Sequence, residues 1–263
     1  MKLSPQDREI LRDLATQYAE LAALPCHKIK AEMWRQCNDL ETGVRPMVYA
    51  NEVCWNEMDV DGELTCLCKD DTARGLEGWL RTEMYQFRHF PGDMVLSDYI
   101  PCYKIWSSTG FGIDEEVDIV KTDDTSGVVS RHFHQQIVEP EDIDKLKWSV
   151  VKNHEAETQE LYSFYQQAVG DIMPIKLLGR CGNWCAPWDL LIRLWGVQEA
   201  MIDLIERPDM VNAIVDRTTM ILVRELEDLE ALGLLDRNDD NTRVGTGGYG
   251  YTKDLPGDDF DPT

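Results

Sequence analysis

The sequence predicts an α/β protein with a mainly parallel sheet, and three observations carry that expectation. Short apolar runs, such as residues 47–50 and 234–235, end in polar residues. Segments with helical apolar spacing separate them, giving about five strand–helix units. No self-similar repeat with a period of about 20 to 50 residues is visible, which argues against a solenoid.

The N-terminus reads as a helix over residues 5–24. Ser4 stands at the cap position, Pro5 at the first helical position, and Asp7 where the helix dipole favours an acid. A second helix is expected over 29–40, stopping before Gly43. Arg45-Pro46 then opens a strand over 47–50 that ends at Asn51-Glu52. Cys66 and Cys68 share one face of a further expected strand. Leu76, Trp79, Leu80 and Phe87 recur at helical spacing, and Pro91-Gly92 breaks that helix. A strand is expected over 94–100, a solvated acidic loop over 112–127, and an alternating strand over 128–137.

Helix returns over 157–169, strand over 174–178 and helix over 190–205. Pro208 opens the clearest helix, with Val211, Ile214, Val215, Leu222, Leu226 and Leu229 on one stripe and Gly233 at its end. Leu234-Leu235-Asp236 reads as a short strand with a polar tip. The residues beyond it are rich in glycine and acid, without an apolar period.

Composition excludes several classes of function. Of 263 residues, 26 are basic and 49 acidic, a formal net charge of −23. Such a field repels phosphate backbones and anionic lipid, which disfavours nucleic acid and membrane surfaces as partners. No apolar run reaches the roughly 18 residues of a membrane span, and residues 1–10 carry no apolar signal core. The eight cysteines are scattered without a disulfide framework, as expected of cytoplasmic thiols.

The stretch GRCGNWCAPWD, residues 179–189, holds Cys181 and Cys185. A structural zinc site needs four ligands, and no second Cys or His pair lies nearby in sequence. Thioredoxin-like redox pairs use a two-residue gap, and here the gap is three. A thiolate before a helix N-terminus stays open as a nucleophile. The shape says more than the thiols do. A strand ends, Gly179 and Gly182 allow a close backbone approach, and Pro187 with Asp189 starts a helix. That is a βα loop, where α/β proteins place ligands.

His132 and His134 alternate, so both imidazoles face one side, suited to holding a metal or polarising an anionic substrate. A polar barrel lumen and a plain solvent face both satisfy that pattern. Glu52 stands at a strand tip, beside Asn51, where a general acid/base or ligand and an ordinary loop carboxylate are both consistent, and Asp236 has the same standing. GTGGYGY, residues 245–251, lacks the Lys-Ser/Thr of a phosphate-binding loop and reads as a mobile glycine loop.

The segment from PIKLLGRCGNWC to LEDLEALG resembles the uroporphyrinogen decarboxylase superfamily. Gly196, Asp203, Leu204, Pro208 and Gly233 match its glycine, Asp-Leu and proline pattern, and RPMVYANE is similar to its first strand. The resemblance implies a (β/α)8 TIM-barrel-like fold with a helical segment over 1–44 and a barrel domain over 45–263. The residues after Asp236 are too few for the remaining strand–helix units, so the barrel is expected to be incomplete, with association covering its open edges.

Two activities follow from the resemblance. Tetrapyrrole decarboxylation needs arginines after the first strand; here Asn51-Glu52 and Trp55 stand there, and Glu52 would repel a polycarboxylate. The methyltransferase-like branch of corrinoid-dependent C1 metabolism is therefore favoured, with a corrinoid (cobalamin) methyl carrier, a corrinoid protein or a small methylated substrate as partner. In that reading Glu52, His132 and His134 are catalytic, and Asn51, Trp55, Cys181, Gly182, Asn183 and Asp236 bind substrate or cofactor. That branch often uses zinc through a His-x-Cys pair, which this chain lacks, so zinc would need ligands not identifiable in the sequence. A non-catalytic partner of a corrinoid protein with the same fold is the alternative.

Overall fold

The structure is a computed structural model describing residues 3–90, 92–121, 129–182, 186–244 and 247–255. In chain order the helices are α1 (Pro5–Ala22), α2 (Cys26–Asn38), α3 (Trp55–Met58), α4 (Asp71–His89), α5 (Glu155–Val169), α6 (Pro187–Trp195), α7 (Val197–Glu206) and α8 (Pro208–Ala231). The strands are β1 (Ile100–Tyr103), β2 (Trp106–Ser108), β3 (Val117–Lys121), β4 (Val129–Phe133), β5 (Val151–Asn153), β6 (Ile175–Leu178), β7 (Arg243–Val244) and β8 (Gly248–Tyr249). A 3-10 helix spans Pro140–Lys145. No helix among the described residues is long and apolar enough to cross a membrane.

The chain forms two compact units. The first comprises the described residues of Met1–Ile105, Glu155–Asn183 and Leu235–Thr263. The second comprises those of Trp106–His154 and Trp184–Leu234.

In the first unit, the Ser4 hydroxyl accepts from the Asp7 N–H, closing the start of α1 as the sequence predicts. α1 then lays Leu11, Leu14 and Tyr18 against Leu76, Leu80 and Met84 of α4. Each such side chain stabilises by about 1.5–3 kcal/mol when fully buried. β1 and β6 pair in parallel, Ile100 opposite Ile175 and Tyr103 opposite Leu178, with α5 packed on both. One further parallel bridge joins Arg180 to Leu235.

The second unit is built on α6, α7 and α8. Leu191, Leu194, Trp195, Ile214 and Ile221 enclose Ile137 and Leu146, all nearly inaccessible. Two antiparallel pairs, β2–β5 and β3–β4, complete it.

Several expectations are corrected. The class is mixed α/β, but the described strands form four two-stranded sheets, three of them antiparallel, and close no barrel. Residues 47–50 are extended without a ladder: Val48 is held by Asp93, through the carboxylate on its N–H and the Asp93 N–H on its carbonyl. Residues 64–69 likewise form no strand; Glu77 accepts from the Leu67 and Cys68 N–H groups instead. The strand expected over 94–100 starts only at Ile100.

Inside the acidic 112–127 stretch lies β3, paired with β4 in register from Val117↔Phe133 to Lys121↔Val129. β4 ends at Phe133, because Gln136 and Ile137 donate to the Leu194 carbonyl instead of continuing the ladder. The single helix expected over 190–205 is two helices, broken at Gly196, whose φ of 95° is left-handed. The glycine-rich tail carries the β7–β8 pair and buries Tyr249 to 3% exposure.

Candidate functional site

The parallel strands of the first unit end in a compact polar loop. The Lys104 N–H donates to the Leu178 carbonyl at 2.8 Å, carrying the β1–β6 ladder to its limit. Just past β6, the Asp236 N–H donates to the Arg180 carbonyl at 3.0 Å. The Asp236 carboxylate accepts in return from the Gly179 N–H at 3.1 Å and the Arg237 N–H at 2.9 Å. One side chain thus fixes the turn leaving β6 and the turn following Leu235.

Cys181 sits on that turn, half-buried, its Sγ donating to the Gly179 carbonyl at 3.4 Å. Burial pushes its thiol above the ordinary value; a Thr242 hydrogen bond opposes this, and the Asp236 and Asp240 charges reinforce it. The thiol is thereby held protonated at neutral pH, unlike an activated nucleophile. Gly182 follows, with no described residue within 4 Å of where a Cβ would stand. No close approach among the described residues therefore demands that glycine. Lys176 reaches Asp240 at 3.0 Å and lies 4.8 Å over the Tyr99 ring.

The structure brings Cys181, Gly182 and Asp236 together. Asn183, like Cys185, lies outside the described residues. Asn51 and Glu52 precede α3 on a stretch packed against α4: Gln86 donates to the Ala50 carbonyl, and Trp55 meets the Tyr85 ring edge-on at 6.3 Å. Glu52 is exposed, Asn51 and Trp55 half-buried. His132 and His134 belong to the second unit, on the exposed β3–β4 hairpin. Their rings are 5.4 Å apart, sharing a face as their spacing predicts, and His134 contacts Asp118 at 2.9 Å.

Among the described residues no three His, Cys, Asp or Glu side chains gather as a metal-ion site.

Sequence reasoning missed a second polar group in the first unit. Glu83, on the buried side of α4, pairs with Arg243 of β7 at 2.5 Å. The guanidinium lies 5.3 Å over the Tyr49 ring, and Tyr49 meets Tyr249 at 5.1 Å. Burial pushes the Glu83 carboxyl upward, and Arg243 opposes that. The available signal was Glu83 itself, an acid three residues after Leu80 on an otherwise apolar stripe.

Comparison of the chain with protein-family models, with curated proteins and with solved structures finds no match in any of the three.

Proposed function

We propose that this chain carries the substrate-side loops of a (β/α)8-type, uroporphyrinogen decarboxylase-like methyltransferase of corrinoid-dependent C1 metabolism. The observation that carries the reading is the convergence of the 179–182 loop and Asp236 at the carboxyl ends of parallel segments, where barrel enzymes collect ligands. The parallel pairing of β1 with β6, α5 packed on both, and the parallel bridge from Arg180 to Leu235 support a stretch of such a barrel. The described cysteines are free, which agrees with a cytoplasmic setting.

In this reading a bound corrinoid supplies the reactive methyl carrier, and the Gly182 backbone, with no described residue within 4 Å of where its Cβ would stand, is there for it to approach. Asp236 orients the loop through Gly179. Cys181, kept neutral with its S–H on the Gly179 carbonyl, lines the loop beside the substrate. Glu52 and Asn51 orient or protonate substrate from the preceding segment.

The test is absorbance of a methylcobalamin-loaded corrinoid protein mixed with this chain and a panel of thiol and tetrahydrofolate acceptors. Demethylation that falls at least tenfold in Asp236→Asn is expected. No spectral change with any acceptor, together with no binding of the corrinoid protein, overturns the reading.

The non-catalytic alternative has its own observation. α7 leaves Val197, Met201 and Ile205 exposed at helical spacing, an apolar stripe suited to a protein partner. Binding of the corrinoid protein without turnover, lost in Met201→Glu, favours it.

A further inference from the structure

The β3–β4 hairpin of the second unit presents two unlike faces. Val117 and Phe133, paired in register, share one of them; there Arg131 reaches Glu115 at 3.4 Å and the Arg193 guanidinium lies 5.9 Å over the Phe133 ring. Asp118 and His132, the next pair, share the other. His134 extends that second face, because its N–H donates to the Glu116 carbonyl at 2.8 Å and sets it opposite Glu116. We infer that this face binds a divalent transition-metal ion through the imidazoles of His132 and His134, with Asp118 orienting His134.

The spacing of the rings comes first. Their centres are 5.4 Å apart. Two imidazoles on one tetrahedral ion, with metal–nitrogen bonds of about 2.0–2.1 Å, have centres about 5 Å apart. The pair therefore stands at chelating distance. What remains is a turn of the His132 ring, which no hydrogen bond among the described residues holds.

His134 is already oriented. Its Nε2 lies 2.9 Å from the Asp118 carboxylate. In a neutral imidazole the nitrogen facing a carboxylate carries the proton, which leaves Nδ1 as the bare lone pair. Metal-ligating histidines are commonly fixed in this way, by giving their other N–H to a carboxylate.

Charge and donor type then select the ligand. The face carries Glu116, Asp118, Ser130, His132 and His134, and no Lys or Arg at its strand positions. The bases of the two strands, Lys121 and Arg131, alternate onto the opposite face. Two carboxylates without a base repel phosphate and carboxylate ligands and favour a cation. Imidazole donors favour copper, nickel or zinc over magnesium or calcium, which take oxygen ligands. Two imidazoles hold the ion without a third gathered protein donor, so water fills its other positions and the ion exchanges.

The experiment is isothermal calorimetry on the whole chain, stripped with chelator and kept reduced, titrated with nickel(II) chloride. Saturation at one ion per chain below millimolar nickel is expected, undisturbed by excess magnesium. His132→Ala and His134→Ala should each weaken binding at least tenfold. Asp118→Ala, which removes the orienting carboxylate and no ligand, should weaken it about tenfold. All three positions are exposed, and far-ultraviolet circular dichroism checks that each variant keeps its helix content. The inference is overturned by unchanged affinity in His132→Ala, which would put the ion on thiols elsewhere, by displacement with magnesium, which would make it a carboxylate site, or by no saturation below millimolar nickel. Unchanged affinity in Asp118→Ala overturns the orienting role.

Discussion

Arg45 grips the Asp93 carboxylate with two nitrogens, at 2.5 and 2.8 Å, across 48 residues of sequence. The same carboxylate accepts from the Val48 N–H at 2.8 Å, and the Asp93 carbonyl accepts from the Trp34 indole at 2.7 Å. This node, and not a β-ladder, places the segment leading to Asn51 and Glu52. The arginine of the Arg-Pro pair therefore has a structural task.

Asp93→Ala should destabilise the chain by about 2 kcal/mol, since it leaves the Val48 N–H and Arg45 without their acceptor. Chemical denaturation measures this. Arg45 holds the Asp93 carboxyl below its usual range, with burial opposing. That contribution is present above the ordinary carboxylate pKa of about 4 and is lost as pH falls through the lower folded value. Acid unfolding of Asp93→Asn should thus be less steep than that of the parent chain.

The Glu83–Arg243 pair should behave in the opposite sense with pH. Burial raises the Glu83 carboxyl, so its contribution is full below about pH 4 and declines as pH rises through the folded value. Glu83→Gln should flatten that decline in urea melts taken from pH 4 to 8. Arg243→Ala should cost about 3 kcal/mol at pH 7, because it leaves a buried acid without its partner. The apolar double variant Glu83→Leu with Arg243→Met should recover to within about 1 kcal/mol of the parent. A double variant as unstable as Arg243→Ala alone would show that the pair does more than neutralise itself.

Helices were legible in this sequence because their signals are local. Ser4 with Pro5 marks α1, Pro208 marks α8, and Val211, Ile214 and Leu229 of the expected stripe are buried as its spacing demands. Strands were less legible because a short apolar run does not name its partner. Residues 47–50 find the Asp93 side chain where a strand was expected, and the acidic composition around Val117 and Ile119 hid β3. At the candidate site, Asp236 and the 179–182 turn were readable as strand tips. The burial of Glu83 against Arg243 depends on a return of the chain from 160 residues away, which no local pattern encodes.

Cys181 offers a chemical readout of the strand-end loop. Its thiol is raised by burial and by the Asp236 and Asp240 charges, so it should alkylate slowly at pH 7.5 beside the exposed Cys54. Asp236→Asn removes one of those charges and one tie on Gly179. The pH midpoint for iodoacetamide labelling of Cys181, followed by peptide mass spectrometry, should then move down. An unchanged midpoint would mean that Asp236 does not act on this thiol.

The positions that carry the family resemblance have a physical explanation in the second unit. Gly196 ends α6 and begins α7 at a φ of 95°, which non-glycine residues adopt only at a cost. Asp203, 2% exposed, accepts from the Trp195 indole at 2.9 Å and from Arg207 at 2.6 and 2.8 Å. Pro208 then opens α8 at its first turn, where a missing N–H costs nothing. The motif thus describes two helix junctions locked by one buried carboxylate. Asp203→Ala should destabilise by about 3 kcal/mol, since it strips the acceptor from both an indole and a guanidinium. Gly196→Ala should cost about 1–2 kcal/mol through backbone strain, and its added Cβ would also displace the Glu199 side chain. Arg207 holds Asp203 below the usual carboxylate range, so the stability lost in Asp203→Asn should be largest above about pH 4 and should vanish as acid protonates the parent. If thermal melts gave Asp203→Asn the same deficit at pH 3 as at pH 7, the carboxylate's charge would be irrelevant and only its shape would matter.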